Sequence, residues 1–186
     1  THYHRHLARW APPPWGHVLD VGCGEGLLTR RLAPFAASVV GIDADAAMVA
    51  RARELSPGPT YVHGDVLTAD VGGPFDLVTC VATLHHLPLE AGLRRLADLT
   101  APGGTLVVVG LARAAGPLDL LWGAAGAVAN TVGHLLRGHW EPGAPVRDPA
   151  ESLDDVAAVA RAVLPGARLR RRLYWRYSLV WRRPDH

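Results

Sequence analysis

Cysteine is scarce in this sequence, with two among 186 residues, Cys23 and Cys80. They fall in a glycine loop and an apolar strand, which excludes a disulfide framework and fits a reduced, cytoplasmic setting. Charge is sparse as well. Charged residues make up 19% against 49% hydrophobic, and the formal net charge is +2. That balance excludes disorder and, by itself, gives no support for nucleic acid as a partner. The opening residues, Thr1-His2-Tyr3-His4-Arg5-His6, are polar and contain no signal-like apolar core. Leu118 to Leu136 is apolar overall but carries Asp119, Asn130, His134 and three glycines. A buried or lid helix is expected there, not a membrane span. His2, His4 and His6 lack a neighbouring acid or cysteine, so no metal site is expected and residues 1–15 read as a solvated arm or a lid. What remains is a chain of single-domain length with material for a sizeable core.

The most informative stretch is Val18-Leu19-Asp20-Val21-Gly22-Cys23-Gly24-Glu25-Gly26. It reads as a strand over His17 to Val21, a glycine turn, and a helix beginning near Glu25. Glycines at 22, 24 and 26 let a ligand approach the backbone, and a helix behind the turn would aim free N–H groups at it. Asp20 interrupts an apolar strand, so it is expected to face a ligand or the loop amides. A dinucleotide fingerprint requires a third glycine three residues after the second, and that position is Leu27.

Leu27, Leu28, Leu32 and Phe35 mark a helix with one apolar face. Ser38 to Ile42 reads as a second strand ending at Asp43, 19 residues after Gly24, where an acid can receive ribose hydroxyls. Strands are also expected over Thr60 to His63, Phe75 to Val81 and Thr105 to Gly110, the last preceded by a Pro102-Gly103-Gly104 turn. Helices are expected around Met48 to Ala52 and Leu89 to Thr100. This alternation predicts a parallel sheet with helices on both faces and a crevice at the strands' carboxyl ends. Asp20, Asp43, Asp65 and Val81 all fall at such ends. Ser152-Leu153-Asp154-Asp155 reads as a capped helix start. Ala167 to Arg172 and Tyr177 to Arg183 read as an antiparallel hairpin. Its arginines are read as charge protecting a sheet edge, with RNA phosphates as the alternative.

On these motifs the sequence resembles the class I S-adenosylmethionine-dependent methyltransferases, small-molecule branch. The resemblance covers residues 17 to 110 and the final hairpin. It implies an α/β, doubly wound, mostly parallel seven-stranded sheet with an antiparallel C-terminal strand inserted beside the fifth. It implies S-adenosyl-L-methionine as cofactor. Asp20, Gly22, Cys23 and Gly24 would hold its methionine part, and Asp43, Ala44 and Met48 its ribose and adenine. Asp65 and Val66 would meet the adenine amino group and ring, with Val81 closing the crevice. The Asn/Asp-Pro-Pro-Tyr/Phe motif of exocyclic-amine enzymes is absent, where the sequence runs Val81-Ala82-Thr83-Leu84.

A sulfonium methyl is already activated, so the protein must chiefly align an acceptor and exclude water. His85 and His86 are the candidate catalytic bases. Residues 111–150 form no part of the strand pattern and are expected to supply a helical acceptor cap. Trp122, His139 and Trp140, with Tyr3 and His4 of the arm, are the candidate substrate residues for a small apolar or aromatic acceptor. The alternatives are an RNA methyltransferase using the arginine-rich tail, or a non-catalytic interaction module of the same fold. No motif speaks to oligomeric state.

Overall fold

The computed structural model describes residues 7, 9–113, 149–172 and 176–185. Strands β1 (Trp15–Val21), β2 (Ala36–Asp43), β3 (Thr60–His63), β4 (Phe75–Val81), β5 (Thr100–Leu111), β6 (Arg168–Arg171) and β7 (Arg176–Arg182) form one sheet. Its order is β3-β2-β1-β4-β5-β7-β6. The first five strands are parallel, while β7 runs antiparallel between β5 and β6. The order reverses between β1 and β4, which opens a crevice at their carboxyl ends.

Alternate residues of β1 face opposite sides, as a pleated strand requires. Val18 packs with Leu32, Val39, Leu77 and Val107 under helix α1 (Leu27–Leu32). Leu19 and Val21 join the larger core on the other face. There Leu93, Leu96 and Leu99 of helix α3 (Leu89–Leu99) meet Val156 and Ala160 of helix α4 (Leu153–Val163) and Tyr177, Leu179 and Trp181 of β7. Helix α2 (Ala46–Leu55) packs Val49 and Ala52 against Tyr61 and Cys23.

Several elements differ from expectation. Helix α1 starts at Leu27 behind a left-handed Gly26 and stops at Leu32, where Pro34 forces a tighter turn over Ala33–Phe35. Its expected apolar face is therefore cut short, and Leu27 and Phe35 stay exposed. The Pro102-Gly103-Gly104 turn is a bulge inside β5: the register steps from Phe75↔Thr100 to Leu77↔Thr105. Gly103 donates to Arg183 O at 3.0 Å, and Arg183 N donates back to Gly104 O at 2.9 Å, so β7 bridges the bulge. Part of the arm is not solvated. Leu7 and Ala11 are buried, joined by an Ala11 N–H bond to Leu7 O of 2.8 Å, and they pack with Val18 and Val107. Among the described residues, no helix is long and apolar enough to cross a membrane.

Candidate functional site

The crevice is built by the turns that leave β1, β2, β3 and β4. After Val21 the chain needs left-handed backbone at Gly22, Gly24 and Gly26, with φ of 70°, 53° and 77°. Gly22 N and Cys23 N donate to Ile42 O at 2.8 and 3.1 Å, which ties the loop to β2. A side chain at Gly22 would collide with the Thr83 side chain. A Cβ at Gly24 would meet nothing within 4 Å, so the space in front of that residue is open.

Asp43 ends β2 and braces the loop. Its Oδ2 accepts from Gly24 N at 2.8 Å and its Oδ1 from Asp45 N at 2.9 Å. Each oxygen retains acceptor capacity, because a carboxylate offers about four lone-pair sites. Asp45 caps α2 through Ala47 N at 2.8 Å. Met48 in the first turn is half-buried, and Ala44 is exposed. Gly64 N donates to Asp43 O at 3.0 Å, bringing the end of β3 alongside. Asp65 is exposed with Oδ1 on Leu67 N at 2.9 Å, and Val66 is buried.

Asp20 corrects the expectation of loop amides. Its carboxylate is 2% exposed and accepts from Thr29 Oγ1 at 2.7 Å and Thr79 Oγ1 at 2.8 Å. Burial pushes its pKa up to about 6, with the two threonine hydroxyls pulling the other way. The threonines were not singled out from the sequence. The available signal was polarity at the same face of β1 and β4, where Asp20 and Thr79 are register partners. Burial likewise raises the Cys23 thiol far above its usual range and pushes Cys80 up to about 12, so both stay protonated.

Beyond Val81 the backbone turns through Ala82 at φ 55°, the one left-handed residue other than glycine among those described. Its N–H donates to Val109 O at 2.7 Å, which holds the conformation. Such backbone collects at functional sites. Thr83 Oγ1 donates to Val81 O at 3.1 Å. A short turn, Leu84–His86, then carries the two histidines. Their rings lie 4.1 Å apart and tilted by 39°. His86 is exposed, whereas His85 is half-buried with its Nδ1 buried and unpartnered among the described residues. Burial, and then the neighbouring His86, lowers the His85 pKa.

The structure thus brings Asp20, Gly22, Cys23, Gly24, Asp43, Ala44, Met48, Asp65, Val66, Val81, His85 and His86 to one end of the sheet. Tyr3, His4, Trp122, His139 and Trp140 lie outside the described residues. The residues that flank 114–148 are described, and they meet. Arg113 bridges to Ser152 as a parallel pair, donates N–H to Glu151 O at 2.8 Å, and places Nε 3.0 Å from Ala150 O. That junction lies just past the carboxyl end of β5.

An open space before Gly24 and a carboxylate with spare acceptors fit a charged nucleoside-bearing cofactor. Residues 18–104 match a family model described as a methyltransferase domain. An uncharacterized methyltransferase of Mycobacterium tuberculosis (strain H37Rv) is 38% identical over 188 residues, spanning 98% of this chain and 95% of the relative. A ubiquinone biosynthesis O-methyltransferase of Xanthomonas campestris is 42% identical over 107 residues, 54% of this chain and 45% of the relative. The crystal structure of the N-methyltransferase NodS from Bradyrhizobium japonicum with S-adenosylhomocysteine superposes with a TM-score of 0.67 at 18% identity. It covers 98% of this chain and 86% of that one. The chain belongs to the class I S-adenosylmethionine-dependent methyltransferases of the small-molecule type, and S-adenosyl-L-methionine is its methyl donor.

Proposed function

We propose that the protein transfers a methyl group to a small apolar or aromatic acceptor by in-line displacement at the carboxyl ends of β1 to β4. The observation that carries this reading is the convergence of four strand ends on the open space before Gly24. In it, Asp43 receives the ribose hydroxyls on the lone pairs left free by Gly24 N and Asp45 N. Asp65 accepts from the adenine amino group, and Val66, Ala44 and Met48 line the ring. Gly22, Cys23 and Gly24 carry the methionine part, with Asp20 supplying negative charge from behind the loop. The bound cofactor supplies an activated methyl on a sulfonium. The protein then has to orient the acceptor, exclude water and, for a hydroxyl or amine, take a proton.

His85 is the better placed base. Its lowered pKa leaves it neutral near pH 7, and a neutral imidazole can accept. The buried cysteines, held as thiols, offer no competing thiolate. Residues 111–150 act as the acceptor cap; the pairing of Arg113 with Glu151 and Ser152 beside the carboxyl end of β5 supports this reading. Tyr3 and His4 complete its rim. The relative from ubiquinone biosynthesis supports a small acceptor of this kind.

Calorimetric titration with S-adenosylhomocysteine and with NAD tests the core of this reading. S-adenosylhomocysteine should bind and NAD should not; the reverse result overturns it. Asp43→Ala should weaken binding by about 1–3 kcal/mol, the loss expected for charge-assisted hydrogen bonds. Trp140→Ala should leave that affinity within about tenfold while methyl transfer falls much further. Parallel losses in both would remove the cap from the acceptor site.

A further inference from the structure

The β6–β7 hairpin is the feature that methyl transfer leaves unused. The chain contains no lysine, so all 19 of its basic residues are arginines. Seven of them lie in residues 167–183, together with none of the 17 acidic residues. The rest of the chain therefore carries 12 basic against 17 acidic residues, and the molecule is a charge dipole with its positive end on one hairpin.

The register shows where that charge points. Arg168 pairs with Val180, which in turn pairs with Val107, and Arg170 pairs with Ser178 opposite Val109. Arg182 pairs with Thr105. Directly paired residues share a sheet face, so Arg168, Arg170 and Arg182 project from the same face. All three are exposed, and among the described residues none has a hydrogen-bond or ion-pair partner. On the same face Arg172 lies 5.3 Å over the Trp10 ring and bonds Ser178 Oγ at 2.9 Å. Edge protection concerns the outermost strand, whereas Arg182 lies on β7, which β6 flanks. The direction of β7 matters as well. It begins opposite Leu111 and ends opposite Thr105, so Arg170 lies toward the carboxyl end of β5 and Arg182 at its other end.

We propose that the arginine face of the β6–β7 hairpin docks the enzyme on an anionic lipid surface. An exposed arginine near an anionic leaflet gains roughly 1 kcal/mol. Guanidinium groups match phosphate oxygens through two parallel hydrogen bonds. Single-stranded nucleic acid is the weaker fit. Its binding relies on exposed aromatic rings for base stacking, and the described aromatics of the hairpin, Tyr177 and Trp181, are 1% and 6% exposed. The docking does not rest on the proposed acceptor class.

Vesicle flotation of the full chain tests the docking. Vesicles of phosphatidylcholine are compared with vesicles that also contain phosphatidylglycerol, at low salt and at salt that shortens screening to about 3 Å. Partition onto the anionic vesicles should exceed that onto neutral ones by at least about tenfold and collapse at high salt. Arg168→Gln/Arg170→Gln/Arg182→Gln should lower it roughly a hundredfold, about fivefold per arginine. Should the triple variant fail to fold, Arg170→Gln and Arg182→Gln alone should each cost about fivefold. Equal partition onto both vesicles, or variants that bind like the parent, overturns the proposal. So does displacement from anionic vesicles by an RNA oligonucleotide at equal phosphate concentration. S-adenosylhomocysteine affinity should be unchanged in the variants. Loss of cofactor binding by the parent chain itself would instead count against the methyl-transfer reading.

Discussion

Burial decides what Asp20 can do. Its carboxyl titrates near 3.8 in an unfolded chain and near 6 in the fold. Between those pH values the folded state holds more protons, so stability falls as pH rises through the window. The rise from 3.8 to about 6 corresponds to about 3 kcal/mol against the fold at neutral pH, with the pull of the two threonine hydroxyls already included. Asp20→Asn removes that cost and keeps a polar group between Thr29 and Thr79. Denaturant melts should show the variant gaining on the parent as pH rises from 4 to 7, while S-adenosylhomocysteine binds at least about tenfold more weakly. A variant less stable than its parent at pH 7, with cofactor binding intact, would make Asp20 purely structural. His85 has the opposite sign. Its folded pKa lies below 6.5, so the unfolded chain takes the proton first and stability drops as pH falls through that range. If His85 is the base, methyl transfer should decline on the same acid side, and His85→Gln should flatten the profile. An unchanged acid limb in His85→Gln would assign the proton transfer elsewhere.

The glycine loop separates folding from binding within one element. At Gly22 any Cβ strikes Thr83, whereas at Gly24 it enters open space. Gly22→Ala should therefore fold poorly. Gly24→Ala should fold with a left-handed strain of about 1–2 kcal/mol and lose cofactor affinity far beyond that. Thermal melts beside calorimetry distinguish the two, and a Gly24→Ala protein that binds S-adenosylhomocysteine like the parent would move the cofactor away from this loop. The cap of α4 is an independent check. Ser152 Oγ accepts from Asp155 N at 3.2 Å, and Asp155 Oδ2 accepts from Ser152 N at 2.9 Å. Ser152→Ala should cost about 1 kcal/mol and a few degrees of melting temperature. This box was readable from Ser152 and Asp155, just as the strands were readable from apolar runs ending in acids. The short α1 and the bulge in β5 were not, because Pro34 and the reach of Arg183 act through geometry and not through periodicity. The partners of Asp20 escaped too, since Thr29 and Thr79 lie 9 and 59 residues away from it.

At the scale of the molecule, the alternation of strands and helices and the acids at four strand ends were enough to predict the sheet and the crevice. The position of β7 came from family resemblance, because nothing local in Tyr177 to Arg183 says which strand it joins. That position makes the C-terminal hairpin integral to the fold. Tyr177, Leu179 and Trp181 enter the core shared by α3 and α4, and Trp181 Nε1 donates to Pro165 O at 3.1 Å. Arg183 Nη1 lies 3.0, 3.2 and 2.8 Å from the carbonyls of Ala97, Asp98 and Thr100, closing the end of α3 on β5. Burying one large apolar side chain contributes about 1.5–3 kcal/mol, so three of them approach the 5–15 kcal/mol that separates a domain from its unfolded chain. Removing residues 173–186 should therefore abolish cooperative folding, even though β1 to β4 and the cofactor residues remain. The test is a thermal melt by near-ultraviolet circular dichroism with S-adenosylhomocysteine titrated in parallel. A truncated chain that melts in one sharp step and binds the ligand would show that the fold stands without β7, and would reduce that strand to a surface attachment.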